Sequence, residues 1–406
     1  MLNNICFKDY KKNNDIHGTV LYPAVMIAPV QKQILNEILE EDKICSIFDP
    51  FCGSGTALYE GMKTSQHIHL IGCDINPLAI LITRVKLQGV QSGIYDDIDY
   101  IKDFLDKPRG IYTYKFPNIN KWFREDIIES IGLLRSSIIG VDDDQNRLFL
   151  WYMLCDILRR YSNTRSSTYK LHIKESRSIA SIENKVLESY ISSISKNADK
   201  FKNSSDNFIL YKRDSLELMQ EFDSRSVDVS ITSPPYGDNA TTVPYGQFSM
   251  LALYTIPAYD LELEGWELDN YSTIDSHSMG GGYIRNEIEL NEFEKSLLSP
   301  YLKKISMEKQ GKVIRFFRDY FFFLRELCRI TNKYIVLTLG NRTVDRVRIN
   351  LTKITRVYLE ENNFTNVKCA KRDIPVKRTP KITSVVYQHP VDSMNCEYVL
   401  IHKRRL

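Results

Sequence analysis

Among the eight cysteines of this 406-residue chain there is no C-x-x-C pair, so the usual zinc spacings are missing. Cys6, Cys45, Cys52, Cys73, Cys155, Cys328, Cys369 and Cys396 are scattered, which points to reduced intracellular thiols rather than a disulfide framework. No stretch approaches the ~18 uncharged apolar residues of a membrane span. The first turns carry Lys8, Asp9, Lys11, Lys12 and Asp15 without an apolar run, so no secretory signal is expected. Charge of one sign is also lacking. The 54 basic and 51 acidic residues leave a net +3, and partners must be read from local charge. No internal repeat is visible. With 43% hydrophobic and 26% charged residues, the composition excludes a disordered or collagen-like chain and is that of a soluble globular protein. The length suggests two or three domains.

What is present is an α/β rhythm. Residues 44–49 read as a buried strand, followed by a glycine-rich turn at 52–56 and a helix from about Ala57 to Lys63. Residues 67–75 form a second strand, and Pro77 opens a helix continuing over 78–88, as proline does at a first helical position. The rhythm breaks over 95–204, where 145–161 and 178–200 carry apolar residues at helical spacing. It resumes with strands at 207–212 and 226–232, then a helix at about 312–331. A strand at 334–339, a helix at 351–362 and strands near 365–371 and 396–402 complete it. The expected fold is a Rossmann-like α/β sheet of about seven strands, with a helical insertion (95–204) and a loop-rich insertion (238–312). Residues 1–94 would form its first part and 205–406 its second. Both insertions are expected to leave from carboxyl ends of strands, where open α/β sheets bind ligands.

Two stretches carry chemistry. The first is Asp49-Pro50-Phe51-Cys52-Gly53-Ser54-Gly55-Thr56. Its glycines permit a tight turn and close backbone approach to a ligand, and the next helix offers free N–H groups to a carboxylate. Asp74 ends the next strand, placed to accept from two ribose hydroxyls. Neither G-x-G-x-x-G nor a phosphate-binding P-loop fits this turn, so a nucleoside bearing a carboxylate suits it better than a dinucleotide. The second stretch is Thr232-Ser233-Pro234-Pro235-Tyr236. Consecutive prolines make a rigid extended tip. Ser233 and the Pro234 carbonyl can accept from an amino group, and Tyr236 offers a face to a base.

Together these stretches resemble the S-adenosylmethionine-dependent amino-methyltransferases of DNA, over most of the α/β portion. The resemblance implies that Asp49, Phe51, Gly53, Ser54, Gly55 and Thr56 wrap the methionine part of the cofactor. It implies that Asp74 binds its ribose, and that Ile75, Asp214 and Ser215 adjoin its adenine. His17-Gly18-Thr19 and Tyr22-Pro23 resemble a further cofactor-binding element. Ser233, Pro234, Pro235 and Tyr236 match the catalytic tip, with the target base flipped out of duplex DNA. No metal is implied. Serine at the tip's first position favours the N4 amine of cytosine over the adenine amine. Carbon-5 methylation would need a Pro-Cys dipeptide, which does not occur; Cys52 reads as packing.

A basic link supplies Arg159, Arg160, Arg165, Lys170, Lys174 and Arg177 against the single acid Glu175, a composition suited to phosphate contacts. Asn239 and Gln247, after the tip, could read a base or fill the gap left by flipping. Lys368–Lys381, with six basic residues and one acid, lines a DNA cleft or solvates an edge strand. The resemblance places the chain in a bacterial restriction–modification or defence system, cytoplasmic and nucleoid-associated, with any endonuclease a separate chain. Its rivals are a tRNA guanine-amine methyltransferase, whose added RNA-binding domain has no room before Asp49, and a silent DNA-recognition subunit.

Overall fold

The computed structural model describes residues 7, 9–108, 114–237, 243–264, 266, 271, 273–281, 289–373, 382–386, 389–392 and 396–405. Seven strands form one sheet: β1 (Ser46–Asp49), β2 (His69–Cys73), β3 (Phe208–Tyr211), β4 (Val227–Thr232), β5 (Thr331–Gly340), β6 (Phe364–Asp373) and β7 (Cys396–Arg404). Their order is β3-β2-β1-β4-β5-β7-β6. The first five run parallel, and β7 is antiparallel to both its neighbours. This is the seven-stranded Rossmann-like α/β sheet expected from the sequence.

Alternation along the strands builds two cores, because successive side chains leave a strand on opposite faces. Ile47, Val336, Val399 and Ile401 enter one core; Phe48, Ile335, Leu337 and Leu400 enter the other. Helices α1 (Ala28–Glu41), α2 (Thr56–Thr64) and α3 (Pro77–Gln88) pack in the first. Helices Met307–Ile330 and Leu351–Glu361 pack in the second. Among the described residues no helix is long and apolar enough to cross a membrane.

Helical spacing over 178–200 is interrupted: the chain forms Ser176–Ala180, then Val186–Asn197. The segment read as loop-rich contains the eleven-residue helices Tyr245–Thr255 and Glu292–Leu302. The first is apolar nearly all round, so it lacks the one-sided periodicity that marks a surface helix.

The helical insertion does not leave from a strand's carboxyl end. It starts beyond the C-terminus of α3, and its two ends meet there. Val90 N donates to Phe201 O at 2.9 Å and Ser205 N to Leu87 O at 2.9 Å. Helix Asp144–Tyr161 then carries the chain back along α3. Its 18 residues span about 27 Å, enough to return from the far edge of the sheet to the ligand-binding edge. The two insertions pack together. Buried Asp260 accepts from Arg147 Nε at 3.0 Å and Trp151 Nε1 at 2.7 Å, and Phe116 stacks on Tyr254 with centroids 5.0 Å apart.

Candidate active site

Five parallel strands point their carboxyl ends to one edge. On it, β1 and β4 are direct neighbours, with Ile47 opposite Val229 and Phe48 opposite Ser230. The two chemistry-bearing stretches therefore begin about one strand spacing apart, roughly 4.8 Å, although 184 positions separate Asp49 from Ser233 in the chain.

The turn after β1 needs its glycines. Gly53 and Gly55 have φ of +51° and +69°, a region costly for residues with a Cβ. A Cβ on Gly55 would also lie 2.7 Å from Thr83 Cγ2 of α3. Thr83 Oγ1 donates to Gly53 O at 3.0 Å, and Lys86 Nζ, one turn on, donates to Ser54 O at 2.6 Å. Burial pushes the Lys86 amine down to about 7. Thus α3 holds the loop from below. Cys52 is buried with its thiol pushed well above the ordinary range by burial, an environment for packing and not for a nucleophile.

Asp49, Asp74 and Asp214 end or follow β1, β2 and β3 at this edge. Asp74 Oδ2 accepts from Gly53 N at 3.0 Å and Oδ1 from Asn76 N at 2.9 Å. Burial still raises its pKa to about 6. Asp49 is buried and raised to about 7 by burial, with Asp74 adding a smaller push. Its Oδ1 accepts from Phe51 N at 3.2 Å. Thr232 Oγ1 faces that carboxyl. Yet Asp49 Oδ2, Thr232 Oγ1 and Thr56 Oγ1 are all buried without a hydrogen-bond partner of good geometry. Buried polar atoms rarely stay unpaired, and Asp49 and Thr232 face each other where the two stretches meet. Asp214 caps helix Ser215–Gln220, its Oδ1 accepting from Leu216 N at 2.8 Å. Asp74 N donates to Tyr211 O at 3.1 Å, which ties the exit of β3 to that of β2.

At the β4 tip Pro234 is buried and Ser233, Pro235 and Tyr236 are half-buried. Ser233 Oγ and Tyr236 Oη are 3.0 Å apart. Burial, with Glu397 next, holds the Tyr236 phenol well above its ordinary pKa, so it stays protonated.

The N-terminal element divides. The Tyr22 ring covers Gly53, where a Cβ would stand 3.6 Å from its Cε1. Tyr22 Oη accepts from Asn76 Nδ2 at 3.2 Å. Pro23 is buried beside it, and Ile75 is half-buried. His17 and Thr19, in contrast, lie behind the loop. His17 is buried, with Nε2 3.1 Å from Glu60 Oε1 and Nδ1 3.4 Å from Lys86 Nζ. Thr19 Oγ1 meets Tyr152 Oη at 2.5 Å. His17 thus braces α2 and α3 from the rear, and Thr19 ties this element to helix Asp144–Tyr161.

Sequence reading missed Tyr245 and Phe248. The Tyr22 ring sits 5.8 Å from each. Tyr245 lies within electrostatic reach of both Asp74 and Tyr236. Asp275 holds this helix start, accepting from Gly246 N at 3.1 Å. An aromatic a short way past the proline tip was the available signal.

The basic link reaches the same place. Tyr169 packs edge-on to Phe248 at 5.9 Å, and the Arg159 guanidinium lies 4.9 Å above that ring. Arg159 is half-buried and also donates to Thr168 O, and Lys174 Nζ donates to Ser162 O at 2.8 Å. Both shape the loop from within. Arg160 pairs with Asp156 at 2.7 Å. Arg165, Lys170 and Arg177 are exposed, as is Gln247 in the first turn of its helix. Asn239 lies outside the described residues, as do 374–381 of the second basic stretch. Among the described residues no group of three His, Cys, Asp or Glu side chains could hold a metal, and all seven described cysteines are free.

No family model matches this chain. The chain is similar to the Type II methyltransferase M.MvaI of Kocuria varians, 28% identical over 95% of this chain and 90% of that protein. So extended a likeness takes in the insertions as well as the sheet. With the strand order and the shared edge, it supports a DNA methyltransferase.

Proposed function

We propose that this chain is an S-adenosylmethionine-dependent methyltransferase acting on the exocyclic N4 amine of cytosine in duplex DNA, within a bacterial restriction–modification system. The observation that carries the reading is the parallel pairing of β1 with β4, which brings the glycine turn and the proline tip side by side. The residues suit the cofactor: Gly53, at φ +51°, leaves bare backbone beneath the Tyr22 ring, and Asp49 Oδ2 and Thr56 Oγ1 are buried polar atoms without a hydrogen-bond partner.

When bound, S-adenosylmethionine supplies a methyl group already activated on a sulfonium. Asp74, ionised above about pH 6, accepts from ribose hydroxyls. Ser233 Oγ and the Pro234 carbonyl accept the two hydrogens of the target amine. That draws the nitrogen lone pair out of the ring and toward the donor. Protonated Tyr236 donates to Ser233 Oγ and fixes the rotor. The gain is one of positioning and of stabilising developing positive charge. Ser233 is too weak a base to keep the amine proton, which leaves to water. The similarity to a Type II methyltransferase supports the DNA context, and a cognate endonuclease would be a separate chain.

Transfer of tritiated methyl groups to duplex DNA and to tRNA, followed by digestion to nucleosides, tests the reading. Label is expected in DNA as N4-methylcytosine. Recovery as N6-methyladenine would move the base assignment. Label in tRNA alone would overturn the DNA reading. Cofactor binding with label in neither would make the chain a silent recognition subunit.

A further inference from the structure

Just past the carboxyl end of β5, Arg342–Val344 pairs antiparallel with Val347–Ile349. The connection is the two residues Asp345 and Arg346, with φ of +50° and +64°, the geometry of the tightest hairpin turn. Asp345 is anchored from outside, accepting from Ser306 N at 2.9 Å and Lys309 Nζ at 3.0 Å. The hairpin is thus short and held at its tip.

Its two faces differ. Arg342 stands opposite Ile349 and Val344 opposite Val347, while Thr343 stands opposite Arg348. Side chains alternate along a strand, so Arg342, Val344, Val347 and Ile349 share one face. Val344 and Val347 pack on the second core and Ile349 is buried. Arg342 therefore occupies an inward position where the other three are aliphatic. It is directed at the catalytic tip. A Cβ on Gly237, the residue after Tyr236, would lie 2.1 Å from Arg342 Nη1 and 2.6 Å from its Cζ. The Arg342 side chain occupies the place a Gly237 side chain would take, so any such side chain would displace it.

We propose that Arg342 contacts the DNA, its guanidinium receiving a phosphate that flanks the flipped nucleotide. This rests on the DNA reading above and adds to it the group that holds the backbone at the tip. Rotating a nucleotide out of the stack turns it about its own phosphates, so those phosphates must come to the edge where the base enters. A guanidinium presents two parallel N–H groups that match two phosphate oxygens. Gly237 lets that cation stand one residue from Tyr236.

The test uses the full-length chain and the variants Arg342→Ala, Arg342→Lys and Gly237→Ala. Gly237 is not in the left-handed region among the described glycines, and the group a methyl would strike is the mobile end of a side chain. Gly237→Ala should therefore move the guanidinium without breaking the fold. The probe is methylation-free bacterial genomic DNA, with transfer rates read over a range of salt so that K is taken from the KM for DNA. For Arg342→Ala and Gly237→Ala, kcat/KM for DNA should fall at least about tenfold, with S-adenosylmethionine Kd unchanged within about twofold. For Arg342→Ala the slope of log K against log salt should shrink by about 0.9, one phosphate. Arg342→Lys should keep that slope and recover only part of the rate. An Arg342→Ala variant with the wild-type rate and slope overturns the proposal, and so does parallel loss of cofactor affinity. If the wild-type chain labels no DNA, the DNA reading itself fails first.

Discussion

Asp74→Asn should make the free protein more stable at neutral pH while it weakens cofactor binding. The folded pKa of Asp74 is about 6, against about 3.9 in an unfolded chain. A carboxyl raised in this way costs nothing below about pH 4, where both states are protonated. From there to about pH 6 the unfolded state ionises first and folding stability falls. Above that the loss is complete, at about 3 kcal/mol for a shift of about two units. Asparagine stays neutral and removes that loss. It also replaces the oxygen that accepts from Gly53 N, costing about 1 kcal/mol. The variant should be more stable than wild type by about 1–2 kcal/mol at pH 7.5 and less stable by about 1 kcal/mol at pH 4. Asp49 titrates in both proteins, and losing the Asp74 charge removes the smaller part of what raises it, a change in the same direction as the gain at pH 7.5. Urea denaturation at the two pH values reads the stability, and calorimetric titration with S-adenosylmethionine reads the binding, which should weaken about 10- to 100-fold through loss of a charged acceptor. Equal destabilisation at both pH values, with binding intact, would refute the reasoning and leave Asp74 a plain loop brace.

Gly55→Ala puts a Cβ into Thr83 at φ +69°; it should cost about 1–2 kcal/mol or more and lower cofactor affinity, read by the same titration. Ser233→Ala should abolish methyl transfer with cofactor affinity unchanged. Tyr236→Phe keeps the ring but loses the bond to Ser233 Oγ, and should lower kcat about 10-fold with a smaller change in KM for DNA. Asp260→Ala strips Arg147 and Trp151 of their shared anion and should destabilise the fold by about 3 kcal/mol, measured by urea denaturation. An effect within about 0.5 kcal/mol would show that the insertions dock without it.

Much of the sheet was legible because its signals are local. Short apolar runs ending at Asp49, Asp74 and Ser233 are strands whose length and terminating residues are written in consecutive positions. The left-handed turn at Gly53 and Gly55 needs no distant partner to be recognised. Helix Tyr245–Thr255 was not legible, since it is apolar nearly all round and shows no period. The route of the helical insertion was not legible either. Its ends close on Leu87 and Val90 through residues more than a hundred positions away, and no local pattern encodes such a pairing.

The sequence by itself determined the strand ends, the glycine turn, the proline tip and the basic character of the link. Only the tertiary structure decided which of these share an edge. It set His17 behind the loop beside Glu60 and Lys86, packed Tyr245 and Phe248 on Tyr22, and laid Arg342 against Gly237. The physical reason is that dihedral preference and apolar periodicity act over a few residues. A contact between Asp49 and Thr232, or between Arg342 and Gly237, exists only once strands far apart in the chain have paired.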